Sequence, residues 1–121
     1  VTHDVVALVR NAPEVRTMVD SMAETDETLR VRGTGEGAVI QLCNEEGQAL
    51  VSIEAPQFVR VDGEVERLLG AEVAAKVPTP VWWVEARAAT ADERSAALAR
   101  TFAEKLVSRL GGTVWTGGTA Q

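Results

Sequence analysis

The stretch TLRVRGTGEGAVIQLCNEEGQALVSIE, residues 28–54, decides the fold. Three segments in it, TLRVR (28–32), AVIQLC (38–43) and ALVSIE (49–54), alternate apolar and polar residues with period two, the mark of strands with two unlike faces. The connections GTGEG (33–37) and NEEGQ (44–48) are short and carry glycine, as hairpin loops do. The spacing predicts a β-meander. One face collects Leu29, Val31, Ala38, Ile40, Leu42, Ala49, Val51 and Ile53; the other collects Arg30, Arg32, Val39, Gln41, Cys43, Leu50, Ser52 and Glu54.

Working outward toward the C-terminus, FVRV (58–61) after Pro56 reads as one more short strand. DGEVERLLG (62–70) reads as a short helix capped by Asp62 and stopped by Gly70. Residues 71–80 take no clear element, although Pro78 and Pro80 require extended or turning backbone at the end of the segment. VWWVEARA (81–88) is the next strand, and its adjacent Trp82 and Trp83 must point to opposite faces. With Val84, Ala86 and Ala88, Trp82 joins the apolar set and is expected in the core. Thr90 and Glu93 form a T-x-x-E capping box that opens the longest helix. Its stripe is Leu98, Phe102 and Leu106, flanked by Ala99, Ala103 and Leu110. Arg94, Arg100, Glu104, Lys105 and Arg109 lie mostly off it, and Gly111 and Gly112 end the helix. TVW (113–115) is a last strand, with 116–121 expected as a frayed tail.

Toward the N-terminus, DVVALV (4–9) is apolar at both alternating sets, which predicts a strand covered on both sides. NAPEVRTMVDSMA (11–23) places Val15, Met18, Val19 and Met22 at helical spacing, with Asn11 and Glu14 as a cap-like start. The order is β-α-β-β-β-(β)-α-β-α-β. Hairpins in the middle and helix-linked strands at both ends predict a mixed, mostly antiparallel sheet. With three helices too few to cover both faces, a two-layer α+β sandwich with all three on one side is the simplest solution. The 121 residues suit one domain, 1–121. Because it begins at Val1 rather than Met, the chain is expected to be trimmed or excised from something longer.

The formal charge of −6, with no basic stripe, argues against nucleic acid as a partner. No apolar run is long enough to span a membrane. A single cysteine forbids an internal disulfide and fits a reducing, cytoplasmic compartment. Arginine in excess of lysine suggests a GC-rich bacterial genome.

Chemistry-bearing patterns are few. GTGEG lies between strands, not before a helix, so it is a turn and not a phosphate cradle. His3, the only histidine, lies near the N-terminus without a triad partner. Cys43 precedes an acidic loop that disfavours the thiolate, so it reads as a packing residue. One His and one Cys make no zinc set, and the acidic loops 25–27 and 44–47 lack calcium-loop spacing. No metal, cofactor or catalytic residue is expected.

AVIQLCNEEGQALVSIEAPQFVRV, PVWWVEARAAT and LGGTVW together resemble a family of uncharacterised actinobacterial proteins associated with type VII (ESX-type) secretion gene neighbourhoods. The resemblance covers most of the chain and implies a cytosolic or secretion-associated accessory protein. Its motifs are structural and carry over no catalytic residues.

Two functional readings stay open. The first is a non-catalytic interaction or adaptor domain. Its contact face would hold Trp83 and Leu50 among Arg30, Arg32, Glu85 and Arg87, meeting a protein partner or a second copy. The second is a small enzyme or ligand-binding domain with its site between the sheet and residues 71–80.

Overall fold

The computed structural model describes residues 2–34, 39–59, 67, 70, 80–89 and 93–116. The meander is there: β2 (Arg30–Thr34), β3 (Val39–Cys43) and β4 (Ala49–Glu54) pair in sequence order, each antiparallel to the next. Before them come β1 (Thr2–Val9) and α1 (Val15–Thr25). After them come β5 (Gln57–Val59), β6 (Val81–Ala89), α2 (Arg94–Leu110) and β7 (Gly112–Thr116). The seven strands form one sheet in the order β2-β3-β4-β6-β1-β7, with β5 also pairing β6. The fold is α+β, with two described helices on one side of a mostly antiparallel sheet.

Every described pairing is antiparallel, and the helix crossovers explain how. β6 and β7, joined through α2, both run against β1 between them. They are therefore parallel to each other without touching. β1 and β2, joined through α1, run the same way with three strands between them. Each crossover skips past its nearest neighbour, so parallel directions arise without parallel pairs.

β4 and β5 share one edge of β6 but not one register. Ile53 faces Ala86, whereas Phe58 faces Trp82, so the chain slips by one residue through Glu54–Pro56. A slip of one exchanges the two faces. Odd residues of β4 face the helices, and in β5 Phe58 takes that face, its ring 4.7 Å from that of Trp82. A second irregularity falls between Leu42 and Cys43: Leu42 pairs with Val51 and Cys43 with Ala49, leaving Leu50 as the extra residue of a bulge.

The main core lies between sheet and helices. Val5, Ala7 and Val9 of β1, Val51 and Ile53 of β4, and Val84 and Ala86 of β6 meet Phe102 and Leu106 of α2 and Met18 and Met22 of α1. α2 lies over β1, β6, β7 and β4, and α1 over β2 and β3. The helices are joined by Arg109, whose Nη1 donates to Ser21 Oγ at 2.6 Å and whose Nη2 pairs with Glu24. Ser21 Oγ donates in turn to Thr17 O at 2.8 Å, which satisfies a fully buried hydroxyl.

Several sequence expectations change. Asn11 does not cap α1, which begins after Glu14 without a side-chain cap. Instead its Nδ2 donates to Leu110 O at 2.9 Å, closing the C-terminus of α2. The expected Val15 of the α1 stripe is exposed. α2 begins at Arg94, and Thr90 of the expected capping box lies outside the described residues. So do the expected helix 62–70, apart from Arg67 and Gly70, and residues 71–79. Thr116, expected in the frayed tail, ends β7. Trp82, expected in the core, is partly buried at its margin beside the exposed Phe58.

Candidate functional site

The sheet face turned away from α1 and α2 is divided into an apolar and a polar half. In the apolar half, Val6 and Leu8 of β1 and Val81 of β6 are buried to 1%, 0% and 0% exposure. Trp83, Trp115 and Val59 pack against them, partly buried. Register explains the grouping: Leu8 stands opposite Trp83 on one side and Thr113 on the other, and Val6 stands opposite Glu85 and Trp115. The two indoles thus flank the buried pair diagonally from the two strands beside β1. The reading of DVVALV as apolar on both sides holds: Val5, Ala7 and Val9 enter the main core, while Val6 and Leu8 enter this second cluster.

Trp83 also joins the halves. Its Nε1–H donates to Glu85 Oε1 at 3.4 Å, and Arg87 Nε donates to Glu85 Oε2 at 3.2 Å. Arg87 Nη1 lies 3.7 Å from Glu54 Oε1. All three charged groups are partly open to water, so the ion pairs orient side chains more than they stabilise the fold. Further along the sheet, Arg32 donates to Gln41 Oε1 from Nε at 3.2 Å and from Nη2 at 2.7 Å. Gln41 Nε2 donates to Ser52 Oγ at 3.3 Å. The fork of Arg32 on a single amide oxygen holds that amide pointing at Ser52.

The sequence-predicted contact residues are therefore brought onto one face in two chains. Trp83, Glu85 and Arg87 form the first with Glu54. Arg32 heads the second, and exposed Arg30 lies at the β2 edge opposite Cys43. Leu50 departs from expectation. It is buried at 3% exposure, at the residue that the β3–β4 bulge leaves without a partner in the ladder. It lines a hollow of about 250 Å³ with Ser52, Glu54 and Arg87. Trp115, Val6 and Leu8 were absent from the predicted set. The only sequence signal for them was the double apolarity of residues 4–9; the place of Trp115 depends on the β1–β7 register, which alternation alone does not reveal.

A second hollow of about 380 Å³ lies between the 44–48 turn and Arg94 of α2. Asn44 shapes that turn, its Oδ1 accepting from the N–H groups of Glu46 and Gln48 at 3.0 and 2.9 Å. Gly47, with φ 83°, supplies the left-handed residue. Among the described residues no three His, Cys, Asp or Glu side chains gather as a metal site. Cys43 is buried. The expected ligand site beside residues 71–80 falls outside the described residues, except for exposed Pro80. Among the described residues no helix is long and apolar enough to cross a membrane. No protein-family model, curated protein or solved structure matches this chain.

Proposed function

We propose that the domain is a non-catalytic protein-interaction module whose contact surface is the sheet face centred on Trp83 and Trp115. The observation that carries this reading is the pairing of two partly buried indoles over fully buried Val6 and Leu8, on a face that neither α1 nor α2 covers. Around that centre stand Glu85, Arg87 and Glu54, already oriented by one another. An apolar aromatic centre with a pre-ordered polar rim of both signs is the anatomy of a protein contact, and Trp is over-represented among the residues that dominate binding energy. A setting in type VII secretion rests on the sequence resemblance alone.

The test is Trp83→Asp in the purified domain, assayed against a partner captured from the native host and then purified separately. Loss of a central Trp should weaken binding by about 2 kcal/mol or more, a factor of about 30. Far-ultraviolet circular dichroism should stay native. Unchanged affinity in a folded Trp83→Asp protein would remove this face from the contact.

A further inference from the structure

We draw no further inference here: the strongest candidate, the hollow of about 380 Å³ between the acidic 44–48 turn and Arg94 at the start of α2, carries nothing, because the one buried side-chain polar atom without a hydrogen-bond partner among the described residues, Ser95 Oγ, is not among the groups that line it.

Discussion

Leu8→Ala tests whether the face away from the helices contains a true second core. Leu8 is fully buried there, opposite Trp83 on β6 and Thr113 on β7. Truncation removes three carbons, worth about 2.4 kcal/mol at about 0.8 kcal/mol per buried methylene. The cavity left behind adds about 24 cal/mol per Å³ that is not refilled. Trp83 and Trp115 are partly exposed and can settle into the gap, which keeps the cavity contribution small. The expected loss is about 3 kcal/mol, toward the lower end of measured Leu→Ala costs. For a domain of this size a urea slope near 1.3 kcal/mol/M converts that into a midpoint drop of about 2 M. Urea titration followed by tryptophan fluorescence and by circular dichroism should give coincident transitions. A drop below about 0.5 M would mean that Leu8 behaves as a surface residue, refuting the second cluster.

Two further outcomes are expected. A Cβ built on Gly112, where φ is 143°, would lie 1.8 Å from Leu8 O, so Gly112→Ala should cost more than about 2 kcal/mol in thermal melts. Gly33→Ala, with nothing within 4 Å, should stay within about 0.5 kcal/mol, and similar losses for both would contradict the close β1–β7 approach. Asp26 is held below its ordinary pKa of 3.8 by the Thr28 hydroxyl and then by the Thr28 N–H, which donate at 2.6 and 2.9 Å. A depressed carboxylate stabilises the fold above its unfolded pKa, near 3.9, and loses that contribution as pH falls through the folded value. Asp26→Asn should therefore flatten that part of the acid limb, and an NMR titration midpoint for Asp26 at or above 3.8 would contradict the assignment.

Most of the architecture was legible because alternation and helical spacing are strong local signals. The meander, the tryptophan strand and the stripe of α2 all follow from them, as does the two-sided burial of β1. What was not legible depends on long-range register. The Leu42/Cys43 bulge, which leaves Leu50 as the extra residue, has no mark in local composition; the slip that brings Phe58 to Trp82 falls at Pro56, which marks a break between strands but not the register that follows it. Asn11 looked like a local cap, yet its side chain is used by a helix end brought beside it by tertiary structure. The candidate face was half legible for the same reason. Trp83, Glu85 and Arg87 sit on one strand, so period two groups them, whereas Trp115 joins them only through β1.

The place of β1 between β6 and β7 has a consequence for the order in which the domain assembles. Side-chain contacts within the meander close over short separations, 9 residues for Arg32–Gln41 and 11 for Gln41–Ser52. The contact that secures the end of β1 to the end of α2 spans 99 residues. Long loops cost entropy before their contacts repay it, so local hairpins form early and such closures late. On the ribosome, β1 emerges before β6 and β7, the strands on either side of it in the sheet. Apolar on both faces, it must wait without partners while the meander forms. Its exposure ends only as β6, α2 and β7 are made, and an apolar segment without its partner strands is prone to aggregate until then.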